Sequence, residues 1–382
     1  MRYAKHAAAG RIVSAAAPSF TTLDITDGDE KLKLYKSAAG YRAIMNWYDE
    51  AISTIDCAVE SRFVRTRFGW THMLVAGPAD GAPLVLIPGV AGCAPVWRRQ
   101  LPAFARHFRV YAVDIVGQPG RSDPNPPSFL NDDYVDWLCD LLDGLQIRSA
   151  HFAGTSVGGW VVLRMALVAP ERVRKIVMLS PTGVSRAKLP VRIWVTKVMN
   201  KRKHADALQD DLTAKSVTSR SPGSSFGTFD RRLARLMALC TRHYRVDRSV
   251  GVYNEATRRV DAWKGLKVLR KFFMSEPKAK LQKLRTPGLL VFGQHEVLYD
   301  PWRVGRRALA LMPSLELDVI EGAGHAAIYD KPDEVNERVI TFLNGDATSL
   351  IGGYQGLTDA ERRRSKPSLS RISDQITRGQ LF

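Results

Sequence analysis

Ser149-Ala150-His151-Phe152-Ala153-Gly154-Thr155-Ser156-Val157-Gly158-Gly159 changes periodicity at a serine. A β-rich run, His151–Thr155, leads into a helical pattern that starts at Val157, with Ser156 at the junction. Turning from strand to helix in so few residues crowds the backbone, and only small neighbours fit beside the serine. Gly154 and Gly158 stand two residues away on either side and complete a Gly-x-Ser-x-Gly pattern. Such a junction lifts a hydroxyl above the carboxyl edge of a parallel sheet. A serine there also suits an ordinary helix N-cap, so the pattern takes its meaning from the rest of the chain.

On the amino side, Lys31–Ile55 carries Tyr41, Ile44, Met45, Tyr48 and Ile52 at three- and four-residue spacing, as a helix packed outside a core would. Phe63–Arg67 and His72–Val75 read as two strands around a Phe68-Gly69 turn. Leu84–Pro88 is a short apolar run between Pro83 and Gly89, the pattern of a strand buried on both faces. A helix over Val96–His107 follows, then a strand over Arg109–Ile115. The helix Asp133–Leu145 aligns Val135, Leu138, Leu141, Leu142 and Leu145 on one face. Beyond the serine come a helix over Val157–Val168 and a strand over Val173–Leu179.

The alternation then stops and later resumes with strand Gly288–Phe292, helix Trp302–Leu311, strand Leu315–Ile320 and helix Pro332–Phe342. Repeated strand–helix units predict an α/β fold, a mainly parallel sheet with helices on both faces. The expected core is 31–185 and 286–345, with 186–285 a helical cap inserted between two strands. Residues 1–30 read as a flexible arm and 346–382, polar and rich in Ser, Arg and Gly, as a flexible tail.

Composition narrows the classes. The 382 residues are 45% hydrophobic and 25% charged, ordinary for a globular protein. No apolar run approaches the ~18 residues that span a bilayer. Met1–Pro18 is broken by Gly10 and Arg11 and makes a poor secretion signal. Cys57, Cys93, Cys139 and Cys240 form no Cys-x-x-Cys pair, which argues against structural zinc and fits a reducing, cytoplasmic setting. No metal or organic cofactor is implied. The net charge is +18, and residues 185–285 alone hold 25 Lys and Arg against 8 Asp and Glu. Solvated helix faces account for such a block, and it would also suit weak contact with an anionic membrane. Aromatic residues do not interleave with the cations, so no nucleic-acid partner is expected.

A serine hydroxyl is a weak nucleophile and needs a base, itself oriented by an acid. His325 lies in Glu321-Gly322-Ala323-Gly324-His325, directly after strand Leu315–Ile320, where glycines let the chain turn back over the sheet. The acid belongs after strand Gly288–Phe292, where Glu296 and Asp300 are available. Asp300 precedes Pro301 and a helix, and an Asp N-cap with Pro at N1 explains it fully. Glu296 has no such explanation and is assigned the orienting role, with Asp300 as the alternative acid. Two backbone N–H groups must meet the oxyanion. Val157, following the serine, supplies one, and Val90, in Pro88-Gly89-Val90-Ala91-Gly92, supplies the other. Cys93 reads as a small residue lining the pocket.

With these residues in place, the chain resembles the α/β-hydrolase superfamily over Thr71–Ser185 and Thr286–Leu343. The resemblance rests on Gly-Thr-Ser-Val-Gly (154–158), Asp-Ile-Val-Gly-Gln-Pro-Gly-Arg-Ser (114–122), Gly-Gln-His-Glu (293–296) and Gly-Ala-Gly-His (322–325). Arg62–Pro78 and the helix before it look like those of a bacterial carboxylesterase-type subgroup. Two features depart from the family pattern: Pro88-Gly89 stands where His-Gly is usual, and Glu296 where Asp is usual. The resemblance implies a serine hydrolase acting on small-molecule carboxylic esters through an acyl-enzyme. The same residues would serve lactone or carbon–carbon bond hydrolysis, or could survive in a fold that only binds a ligand.

Overall fold

The structure, a computed structural model, describes residues 32, 34, 35, 38–90, 92–187 and 275–345. The expected arm and tail, and nearly all of the expected basic cap, lie outside the described residues, and with them the membrane-contact expectation. Eight strands form one sheet: β1 (Val59–Thr66), β2 (Gly69–Ala76), β3 (Ala82–Ile87), β4 (Phe108–Val113), β5 (Ala150–Thr155), β6 (Val173–Leu179), β7 (Gly288–Gly293) and β8 (Leu315–Ile320). Their order is β1-β2-β4-β3-β5-β6-β7-β8. β1 and β2 form an antiparallel hairpin, β2 joins β4 antiparallel, and every later pairing is parallel. Among the described residues no helix is long and apolar enough to cross a membrane.

This order contains a switch point. From β3 the chain moves outward to β4, then returns to lay β5 on the other flank of β3. Open α/β sheets bind ligands at the carboxyl ends of the strands beside such a switch point, here β3 and β5.

Along β3, alternate residues serve opposite faces: Val85 and Ile87 join one core layer, Leu84 and Leu86 the other. The first layer is filled by Tyr134, Trp137 and Leu138 of helix Asp133–Gly144, by Trp160 and Leu163 of helix Val157–Val168, and by Val304 of helix Pro301–Leu311. The second holds Tyr48 of helix Ala38–Ser53, Trp97 and Phe104, and Val335, Val339 and Phe342 of helix Pro332–Asn344.

The first helix is shorter than the expected Lys31–Ile55, β1 and β2 begin before the expected Phe63 and His72, and one expected element differs in kind. In place of a helix over Val96–His107 there is a 3-10 turn, Ala94–Trp97, then a separate single-turn helix, Leu101–Phe104. Each has a proline in its opening turn, Pro95 and Pro102. A proline inside a continuous helix would lack a donor and strike the preceding turn, so the segment restarts instead.

Candidate active site

Ser156 sits between β5 and its helix with φ +54° and ψ −113°, a backbone conformation few non-glycine residues adopt. Its N–H donates to Leu179 O at 2.8 Å, and its own carbonyl accepts from Thr182 N at 3.1 Å, so the end of β6 and the loop after it brace the strained residue from both sides. The flanking glycines are required by contact. A Cβ on Gly154 would stand 2.3 Å from Gly158 O, and one on Gly158 would stand 2.3 Å from Ile87 O and 2.4 Å from Pro88 O. The elbow is thus pressed against the end of β3. The loop leaving β3 passes close by: a Cβ on Gly89 would lie 3.5 Å from Ser156 Cβ. Val90 follows with its side chain 62% exposed, and Val157, opening the helix, is buried. The first N–H groups of a helix have no intrahelical acceptor, and the helix dipole favours negative charge there.

Glu296 and His325 meet. Nδ1 of the imidazole lies 2.7 Å from Glu296 Oε2, while Glu296 Oε1 accepts from Leu298 N–H at 2.7 Å. The carboxylate is almost wholly buried. Burial alone would raise its pKa. The neighbouring imidazole, its hydrogen bond, the Leu298 N–H and the Ser180 hydroxyl outweigh that and hold Glu296 below the usual range. Ser180, at the end of β6, is the residue that sequence reasoning missed; it carries no charge, and only the packing of β6 against β7 brings it there.

Neighbouring loops lock this pair. His295 N donates to Ala323 O at 2.8 Å, Gln294 N to Ile320 O at 2.9 Å, and Gly322 N to Gln294 Oε1 at 3.1 Å. A side chain on Gly293 would collide with Gly324 O at 2.1 Å, so the two loops cross with no room between them. Asp300 takes another part: it N-caps helix Pro301–Leu311, its Oδ1 accepting from Arg303 N at 2.9 Å.

Among the described residues no hydrogen bond joins Ser156 to His325; both stand on loops at the same carboxyl edge, after β5 and β8. Cys93, expected to line a pocket, is instead fully buried in the layer with Trp97 and Tyr48, and burial pushes its thiol well above the usual range. Among the described residues no group of His, Cys, Asp and Glu could hold a metal ion.

Glu276 stands where the described residues resume before β7. Its N–H donates to Gly183 O at 2.6 Å, and its Oε1 accepts from Trp160 Nε1 at 2.8 Å. Its Oε2 lies 3.8 Å from the Arg164 guanidinium. Glu276 therefore ties the segment before β7 to the loop after β6 and to the helix that follows Ser156.

A sheet with this switch point, a serine on a strained strand–helix turn and a Glu–His pair on the next loops define a recognisable class. The sequence description of the alpha/beta hydrolase fold matches residues 82–332, and the chain belongs to that family. Within it, the chain resembles bacterial carboxylesterases. It is 30% identical over 300 residues to the uncharacterized carboxylesterase nap of Bacillus subtilis (strain 168), covering 78% of this chain and 91% of that one. It is 29% identical over 299 residues to carboxylesterase YbfK of the same organism, covering 78% and 92%. The crystal structure of carboxylesterase CesB (YbfK) from Bacillus subtilis superposes with a TM-score of 0.60 at 26% identity, covering 80% of this chain and 99% of that one.

Proposed function

We propose that this chain hydrolyses carboxylic esters through an acyl-enzyme, with Ser156 as nucleophile, His325 as base and Glu296 as orienting acid. The observation that carries the reading is the 2.7 Å Glu296–His325 hydrogen bond on loops that share an edge with the strained Ser156. A buried, ionised Glu296 accepts a hydrogen bond from Nδ1–H and keeps the imidazole proton on that nitrogen, which leaves Nε2 bare and able to take a proton from Ser156 Oγ. Hydrogen bonds of this kind are often long in unliganded enzymes and tighten in the Michaelis complex. As Oγ bonds to the acyl carbon, the carbonyl oxygen becomes an oxyanion met by the N–H groups of Val90 and Val157. His325 returns its proton to the departing alkoxide. Water, deprotonated by the same imidazole, then releases the carboxylic acid and restores Ser156. The relatives named above are carboxylesterases, which supports esters as the substrate class.

The test is Ser156→Ala assayed on a short p-nitrophenyl ester. The expected result is loss of turnover by about 10⁴-fold or more with an unchanged circular dichroism spectrum. Turnover at the wild-type rate would overturn the mechanism.

A further inference from the structure

Behind the loop that carries Val90 lies a fully buried carboxylate, Asp114, at the end of β4. Its Oδ1 accepts from Ala94 N–H at 2.6 Å, and its Oδ2 accepts from Arg121 N–H at 2.8 Å. The Tyr48 hydroxyl lies 3.1 Å from Oδ1 and 3.0 Å from Oδ2, and His72 Nδ1 lies 3.1 Å from Oδ2. Four donors from four separate segments thus converge on one acceptor-only group. The turn Gly120-Arg121 is shaped to it, since a Cβ on Gly120 would stand 2.8 Å from Oδ2.

The donors are themselves fixed. Facing an acceptor-only carboxylate, the neutral imidazole of His72 carries its proton on Nδ1, and its bare Nε2 accepts from the Ser61 hydroxyl at 2.5 Å. Burial pushes His72 below its usual range despite the nearby carboxylate, and it stays neutral. Burial likewise pushes the Tyr48 phenol up, so it remains a donor. The Arg121 guanidinium stacks on the Tyr48 ring with 4.5 Å to the centroid and pairs with Asp49.

Three contacts among the described residues hold the loop 88–94, whose far end, Cys93 and Ala94, is buried in the core. Its start is pinned where Ile87 and Pro88 press on Gly158. A Gly92 N to Gly89 O bond of 3.0 Å closes its turn. Its far end is held by Ala94 N–H on Asp114. The family's usual histidine is missing from this loop, where Pro88 stands instead.

We propose that Asp114, held by Tyr48 and His72, is the positioning residue that fixes this loop and thereby aims the Val90 N–H at the oxyanion. The proposal rests on the ester-hydrolase reading above. Asparagine at 114 keeps the size but turns an N–H₂ group toward incoming donors, so at least one anchor is lost and the loop is released. Ground-state substrate contacts stay in place, and only charge developing in the transition state is less well met.

The experiment compares wild type, Asp114→Asn and Tyr48→Phe on a p-nitrophenyl ester. Active sites are counted with a fluorophosphonate probe, and inhibition is measured with a trifluoromethyl ketone and with the product carboxylate. Asp114→Asn is expected to lower kcat per titrated site about 10- to 100-fold, within the range of losing one oxyanion donor, with KM nearly unchanged. The trifluoromethyl ketone should weaken in proportion and the carboxylate should not. Tyr48→Phe, which leaves Asp114 its other three donors, should show the same pattern at a few-fold. A fall in thermal stability with kcat per site unchanged, in either variant, would overturn the proposal; Tyr48→Phe alone decides it should the asparagine variant not fold. Failure of wild type to react with the probe at Ser156 would sink the hydrolase reading instead, a separate and separately visible result.

Discussion

At Glu296 the side chain is one methylene longer than the family's usual aspartate, yet Oε2 reaches His325 Nδ1 at 2.7 Å. Leu298 N–H holds the other oxygen, Oε1, and the Ser180 hydroxyl also hydrogen-bonds the carboxylate. Glu296→Gln tests this part: an amide can offer N–H₂ to Nδ1 and favour the wrong imidazole tautomer. Its kcat on a p-nitrophenyl ester should fall on the order of 10³–10⁴-fold with the fold intact, and steady-state kinetics measures it. A loss under tenfold would remove Glu296 from the orienting role. The preference for Glu296 over Asp300 was legible because Asp-Pro before a helix already has a structural use, and Asp300 does cap that helix. The hub at Asp114 was not legible. Tyr48 and His72 lie 66 and 42 residues before it in sequence, and nothing in a linear pattern pairs them.

Among the elements, the helix Val157–Val168 is buried on nearly all sides, as its almost unbroken apolar sequence requires. It can pack so close to β3 only because residue 158 has no side chain. Gly158→Ala would push a methyl group into two carbonyl oxygens at the end of a central strand, where neither can yield cheaply. The expected cost is about 1–3 kcal/mol of stability, read from the urea midpoint, with a drop in turnover per folded molecule as Ser156 is displaced. Equal stability and turnover would show that the elbow has slack. From β3 onward the strands, and this helix, were readable to within two residues because period and punctuation agree there, whereas β1 and β2 begin four and three residues before the expected Phe63 and His72. The expected helix over Val96–His107 was misread because its apolar spacing outweighed Pro95 and Pro102, which divide it.

For the whole molecule, acid stability follows from a buried histidine. His151 lies in β5 beside Phe108, with no partner for Nδ1 among the described residues. Burial first, then the charges of Arg174 and Lys175, lower its pKa to about 4. Unfolded, it would titrate near its ordinary value of ~6.5. The unfolded chain therefore takes up the proton first as pH falls. The native state keeps its full advantage above about pH 6.5 and loses it progressively down to about pH 4, by up to about 2–3 kcal/mol. Buried His72 acts in the same direction. Urea unfolding of wild type and His151→Phe across that range checks this: the variant should show the shallower decline, and parallel curves would refute it.

The sequence by itself determined the α/β alternation, the family, the serine junction and the two loops that carry Glu296 and His325. These rest on local rules: periodicity, glycines at crowded turns, and residues that follow strand ends. Only the tertiary structure decided that β4 lies outside β3, that Ser180 meets Glu296, and that Asp114 gathers Tyr48, His72, Ala94 and Arg121. Those outcomes depend on which segments become neighbours across the sheet. A buried carboxylate finds its donors wherever packing delivers them, at distances along the chain that carry no periodic trace.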